Sequence, residues 1–106
     1  NSTLDAEADS NEYAFWNCGS LSNITILGNI DKIHENAFGY IAKSPKVTFL
    51  GKVDYMWGMF GTWNRYTPYY ETLTFYVPTE YINYYKSQKK QMVLQKKVKI
   101  KFTIKT

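Results

Sequence analysis

Apolar and polar positions along the chain fall into a repeating order. Ala14-Phe15-Trp16-Asn17-Cys18 precedes the strand-like Ile24-Thr25-Ile26-Leu27 and Gly28, followed by Ile30, Ile33 and Ala37-Phe38-Gly39-Tyr40-Ile41. The order then restarts: Val47-Thr48-Phe49-Leu50-Gly51, Val53, Met56 and Met59-Phe60-Gly61-Thr62-Trp63, with Leu73-Thr74-Phe75-Tyr76-Val77 opening a third copy. Val47 comes 23 residues after Ile24, Phe38 comes 23 after Phe15, and Phe60 comes 22 after Phe38. Leu73 comes 26 after Val47, which predicts a small insertion in the third unit. A period of this size with an apolar-x-apolar strand per unit predicts a solenoid, because one such unit cannot bury its own apolar face and must stack on its neighbours.

Alternation of two within each strand sends Ile24 and Ile26, Val47 and Phe49, and Leu73 and Phe75 inward. Asn23, Thr25 and Leu27, then Lys46, Thr48 and Leu50, then Thr72, Thr74 and Tyr76 are sent outward, with Thr25, Thr48 and Thr74 aligned as an exposed ladder. Phe15, Phe38 and Phe60 are expected to form a second, buried ladder. Cys18 falls in register with Ile41 and Trp63, which points to a buried structural thiol, since free cysteine packs as a small hydrophobe.

Two further segments lie outside this order. Pro78, Thr79 and Glu80 form a helix start, with Thr79 as N-cap and Glu80 in the first turn, and predict a helix over about residues 79–88. Its apolar face, Tyr81, Ile82 and Tyr85, can cover an open end of the stack. Val98, Ile100, Phe102 and Ile104 then alternate with Lys97, Lys99, Lys101, Thr103 and Lys105, a strand with one apolar and one charged face. Lysines on an edge strand discourage unwanted pairing. The same strand also suits an addition to the cap, the start of a following domain, or an anionic surface. Residues 1–12 are polar and acidic and read as a worn or truncated coil with its strand missing; residues 13–78 read as the repeats, and residues 79–106 as a cap helix and basic strand. Uncovered apolar surface around Phe15 and Trp16 makes self-association through an open end an expectation.

These residues resemble the BspA-like leucine-rich repeat family of bacterial and protist surface proteins, whose coils read like L-T-x-I-x-I-P-x-x-V-x-x-I-G-x-x-A-F-x-x-C. Leu21-Ser22-Asn23-Ile24-Thr25-Ile26 runs through Ile30, Ile33 and Ala37-Phe38 in that order, and the likeness spans residues 14 to about 88. Thr74-Phe75-Tyr76-Val77-Pro78 and the following Tyr84-Tyr85-Lys86 are similar to the family's usual ending. Leu27-Gly28 and Leu50-Gly51 stand where the family has a proline, and Asp54 to Trp57 is an unusual turn. The resemblance implies an α/β repeat solenoid, a right-handed leucine-rich-repeat coil of about three units, largely β, with a short C-terminal helix and an extra strand. It also implies cell-surface or secreted placement and adhesion.

Composition narrows the chemistry. The 106 residues carry a net charge of +4, and eight of the thirteen Lys and Arg follow residue 78 with only Glu80 against them. One cysteine excludes an internal disulfide and a cysteine-based zinc site. His34 is the single histidine, read as an exposed turn residue, and no nucleophile elbow, P-loop or dinucleotide fingerprint is present, so the reading is non-enzymatic and without cofactor. No apolar run reaches the length of a membrane span.

The expected function is recognition of a protein or glycan partner by the outward strand face, through Thr25, Lys46, Thr48, Thr72, Thr74 and Tyr76. The bland account of these threonines is good strand chemistry. A second candidate patch gathers Trp57, Trp63, Tyr66, Tyr69 and Tyr70 around the insertion, where exposed rings suit sugar stacking or a protein hot spot. The competing class is a structural cap or spacer. Nucleic acid is disfavoured, since no base-reading motif accompanies the charge. Asn1-Ser2-Thr3 and Asn23-Ile24-Thr25 fit the N-glycosylation pattern, which matters only on a eukaryotic secretory route.

Overall fold

The computed structural model describes residues 2–4, 19–27, 29–33, 35, 37–39, 41–61 and 70–105. Among these residues, seven strands and one α-helix follow one another: β1 (Ser2–Leu4), β2 (Asn23–Ile26), β3 (Ile30–Lys32), β4 (Lys46–Phe49), β5 (Val53–Tyr55), β6 (Thr72–Val77), α1 (Ile82–Met92) and β7 (Lys99–Ile104). A single 3-10 turn, Thr79–Tyr81, leads into α1. The architecture is mixed α/β, with parallel strands in two sheets and no closed barrel. The larger sheet has the order β1-β2-β4-β6-β7 and the smaller pairs β3 with β5.

One strand pair in each sheet shares an offset. Ile24 lies beside Val47 and Ile26 beside Phe49 in the larger sheet, while Ile30 lies beside Val53 in the smaller one, so corresponding residues are 23 apart in each. The inward set is buried as expected: Ile26, Val47, Phe49, Leu73 and Phe75 are fully enclosed and Ile24 nearly so. Ile30, Ile33, Val53 and Met56 from the smaller sheet and its turns close the other side of this core. Rings run through it in contact: Phe38 to Phe60 at 6.1 Å, Phe60 to Phe75 at 5.7 Å, Phe75 to Phe49 at 6.0 Å and Phe75 to Phe102 at 5.3 Å between centroids. Phe38 and Phe60 therefore stack as the period predicts, whereas Phe15 and Cys18 lie outside the described residues.

Three expectations change. Ser2–Leu4 is a strand, pairing in parallel with Ile24, Thr25 and Ile26, although the first twelve residues read as having none; three residues with a single apolar position give no periodic signal. The third unit is longer than expected, because Val47 pairs with Phe75, 28 residues on, rather than with Leu73. Thr79 caps nothing with its side chain: Pro78 precedes the 3-10 turn, α1 begins at Ile82, and the helix runs on to Met92. The basic strand lies at an edge as expected, and the sheet it edges is the larger one, where it pairs with β6 and sets Phe102 opposite Phe75.

Helix α1 closes one edge of the smaller sheet. Tyr85 is fully buried with its ring 4.4 Å from that of Phe49, while Tyr81 and Ile82 are half-buried against the same core. The Tyr85 hydroxyl donates to the Gly51 carbonyl at 2.6 Å and accepts from the Val53 amide at 3.0 Å. The Tyr84 hydroxyl donates to the Val53 carbonyl at 2.5 Å. Backbone groups of β5 that a further strand would pair are thus met by two phenols, which removes the cost of leaving them buried without partners. The Gly58 amide similarly donates to the Gln91 carbonyl at 2.7 Å near the end of α1.

Candidate functional site

Parallel sheets are ordinarily covered on both faces, and their strands then read as continuous apolar runs. The larger sheet departs from that rule. Its strands alternate, burying one face in the core and leaving the other polar and open: along β2 and β4 the successive residues are exposed, buried, half-buried and buried. Such a face is a natural place for recognition chemistry, since its side chains are held by a sheet and remain partly or fully open to solvent.

Pairing sorts the outward residues into rows that cross the strands. Asn23, Lys46, Thr74 and Lys101 form one row. Thr25, Thr48, Tyr76 and Thr103 form the next. Thr72 and Lys99 are paired at the other side of the first row. The ladder expected from Thr25, Thr48 and Thr74 is therefore corrected: Thr25 and Thr48 are neighbours, but Tyr76 takes the place beside Thr48 and Thr74 lies beside Lys46. A shift of two residues keeps every side chain on its own face, so inward and outward assignments survive while partners change.

Thr25, Thr48, Thr72, Thr74 and Tyr76 are half-buried, and Lys46, Lys99, Lys101, Thr103 and Lys105 are exposed. At the β7 side, Thr48, Tyr76, Thr103, Ile104 and Lys105 line an open groove of about 430 Å³. Three hydroxyl-bearing residues from three neighbouring strands thus line one concavity together with Lys105. Among the described residues, the ion pair is between Lys52 and Asp54 at 3.9 Å, at the smaller sheet. Leu27 and Leu50, just past the ends of β2 and β4, are 40% and 42% exposed and add a small apolar margin.

The second candidate patch does not hold as a set. Tyr70 is only 2% exposed: its hydroxyl donates to the Phe38 carbonyl and accepts from the Ile41 amide, and its ring meets Phe60 edge-on at 5.7 Å. It is a core residue, because a phenol can be buried when its polar tip finds backbone partners. Trp57 is half-buried. Trp63, Tyr66 and Tyr69 lie outside the described residues, as does His34.

No protein-family model, curated protein or solved structure matches this chain. The chemistry of the site therefore rests on its own residues. Among the described residues no group of His, Cys, Asp or Glu is arranged to hold a metal ion, and no helix is long and apolar enough to cross a membrane.

Thr103, Lys99, Lys101 and Lys105 join the face without having been assigned to it from sequence. The signal for them was the alternation of lysine with Val98, Ile100, Phe102 and Ile104, which marks a strand and its faces. Which strand it pairs with, and in which direction, is decided by tertiary packing, above all by Phe102 stacking on Phe75. The two phenols that close the smaller sheet were legible as one apolar helix face, but their hydroxyl partners more than 30 residues away were not.

Proposed function

We propose that the chain is a leucine-rich-repeat-type solenoid segment of a cell-surface or secreted protein, acting without catalysis as a recognition module through the outward face of its larger sheet. The carrying observation is that a parallel sheet has one face left open and polar, with Thr25, Thr48, Tyr76 and Thr103 in one row and Lys46, Thr74 and Lys101 in the next. The 23-residue offset shared by the β2–β4 and β3–β5 pairs supports the solenoid reading, as do the rings running through the core between the sheets. Adhesion and surface placement come from the likeness to BspA-like repeats.

The test is a binding screen against extracellular-matrix proteins and glycans, comparing wild type with Thr48→Arg and Tyr76→Ala on the face and with Lys89→Glu on α1. A genuine ligand of the face is lost with the first two and kept with the third. Ligands that ignore both face variants count against the reading.

A second reading, self-association, is favoured by one observation. Ile100, Phe102 and Ile104 of β7 are half-buried where their counterparts on β4 and β6 are fully buried, and β7 is the last strand of its sheet. Light scattering over a wide concentration range separates the two: a dimer that Phe102→Ser dissolves supports assembly, and a monomer throughout removes it.

A further inference from the structure

The cationic side chains of the larger sheet are not scattered. Lys46 and Lys101 share a row with Thr74 between them, two strand spacings or about 9.6 Å apart. Lys99 and Lys101 lie on one side of β7, about 6.6 Å apart along the strand. Lys105 lines the groove together with the hydroxyl-bearing Thr48, Tyr76 and Thr103. No carboxylate occupies an outward position of β4, β6 or β7; the nearest in sequence is the exposed Glu71, at the foot of β6. None of Lys46, Lys99, Lys101 and Lys105 forms an ion pair with another described residue. Protective edge lysines account for β7 alone. They do not account for Lys46, two strands further in, nor for the hydroxyl groove between.

We infer that this face binds a linear anionic polysaccharide, carboxylated or sulfated, with its acid groups on Lys46, Lys99, Lys101 and Lys105 and its hydroxyls bonded in the groove of Thr48, Tyr76 and Thr103. This deepens the recognition reading above and rests on it. Charge complementarity selects an anionic partner. The open, shallow face selects an extended chain rather than a compact ligand, which would need a pocket that encloses it. Single-stranded nucleic acid is bound by several aromatic platforms in succession, and among the described residues the outward positions of β2, β4, β6 and β7 offer one ring, Tyr76. A membrane surface calls for a broad apolar face beside the lysines, and among the described residues at the larger sheet only Leu27 and Leu50 are large, apolar and well exposed. A protein partner is usually held by aromatic and arginine anchors, whereas these cations are all lysines beside small hydroxyls. A row of hydroxyl-bearing residues, Thr48, Tyr76 and Thr103, next to the row of Lys46 and Lys101 matches a ligand that alternates acid groups with its own hydroxyls.

The experiment measures binding of heparin and polygalacturonate, with dextran, poly-glutamate, oligothymidylate and phosphatidylserine vesicles alongside, at several salt concentrations. The variants are Lys46→Gln/Lys101→Gln on the face, Lys89→Gln/Lys90→Gln on α1, and Thr103→Val and Thr48→Val in the groove. All four lysines are exposed, so folding is retained, and circular dichroism confirms it for each protein. One or both anionic polysaccharides are expected to bind, more weakly as salt rises. The face double variant should weaken that binding about tenfold and the helix pair less than about twofold. The groove variants, which leave the charge unchanged, should weaken it by about threefold to tenfold at constant salt. Equal losses from the face and helix pairs, with no loss from the groove variants, would reduce the effect to net charge and overturn the inference. Tighter binding of poly-glutamate, oligothymidylate or vesicles overturns it too. If no anionic polysaccharide binds but another ligand is lost on Thr48→Arg, the inference falls and recognition by the face stands. If polysaccharide binding survives every face variant, both fall.

Discussion

The Tyr85 hydroxyl lies 3.0 Å from the Val53 amide and 2.6 Å from the Gly51 carbonyl, so one side chain from α1 supplies both a donor and an acceptor to the open edge of β5. A phenol does there what the backbone of another strand would do. Because Tyr85 also stacks on Phe49 at 4.4 Å, the same residue ends the smaller sheet and fills the core of the larger one.

Tyr85→Phe keeps the stacking and removes both hydrogen bonds. Leaving a buried amide and carbonyl without partners costs about 1–3 kcal/mol each at most, with relaxation reducing the sum, so a loss of about 2–3 kcal/mol is expected. Tyr84→Phe, at a half-buried site, should cost less, about 1 kcal/mol. Urea unfolding of both variants checks the order, and faster hydrogen exchange at the Val53 amide should accompany Tyr85→Phe alone.

The same two phenols predict alkaline sensitivity. Burial pushes both hydroxyls above the ordinary phenol value, most strongly Tyr85, and the charge of Asp54 adds to the rise. Raised folded-state values mean that the folded protein holds these protons longer than the unfolded chain does. Their contribution is therefore complete below about pH 10, where unfolded phenols begin to ionise, and is lost as pH climbs toward the folded values. Thermal melts from pH 8 upward should be flat in this respect and then fall. Phenolate absorbance should show a late-titrating class of tyrosines that Tyr85→Phe diminishes.

Phe75 touches three rings, those of Phe49, Phe60 and Phe102, and is fully buried, whereas Phe102 is half-buried on β7. Phe75→Ala should cost about 3–5 kcal/mol and Phe102→Ala distinctly less. Since they stack at 5.3 Å, the double variant should be less destabilised than the sum of the singles. Chemical denaturation of the four proteins measures the coupling, and additive losses would show that β7 is held by its backbone pairing alone.

Gly61 has φ of 108°, where an L side chain is strained, and a Cβ there would sit 3.4 Å from Gln95 Nε2 and 3.7 Å from the Gly39 Cα. Gln95 Nε2 donates to the Phe60 carbonyl at 3.1 Å, so the side chain that must give way is itself engaged. Gly61→Ala is expected to lower stability by about 1–3 kcal/mol, read from the denaturation midpoint. Gly19→Ala, with open space around its Cβ, serves as the neutral comparison.

Much of this architecture is written in the order of residues. The alternation of two places Ile24, Ile26, Val47, Phe49, Leu73 and Phe75 inward and the threonines and lysines outward, and the recurrence of 23 sets β2 beside β4. Period two has one blind spot, however. Leu73 and Phe75 are both inward residues, so a shift of two satisfies the pattern equally well, and sequence alone favoured the wrong partner for Val47. The three-residue strands β1, β3 and β5 are too short for any periodicity to mark. Tyr70 shows the limit for single residues, since a tyrosine reads as half-exposed until its hydroxyl finds a buried carbonyl.

The inward and outward faces and the 23-residue offset of β2 and β4 were thus determined by the sequence itself, because side chains alternate along a strand and like apolar positions recur at that spacing. Register, edges and the make-up of the open face were decided by tertiary structure alone. Those depend on which distant groups satisfy one another: Phe102 on Phe75 to bring the lysine strand into the sheet, Tyr76 beside Thr48 to form the groove, and two phenols on β5 to end the smaller sheet. Contacts of that kind join residues about 30 positions apart, and no local pattern encodes them.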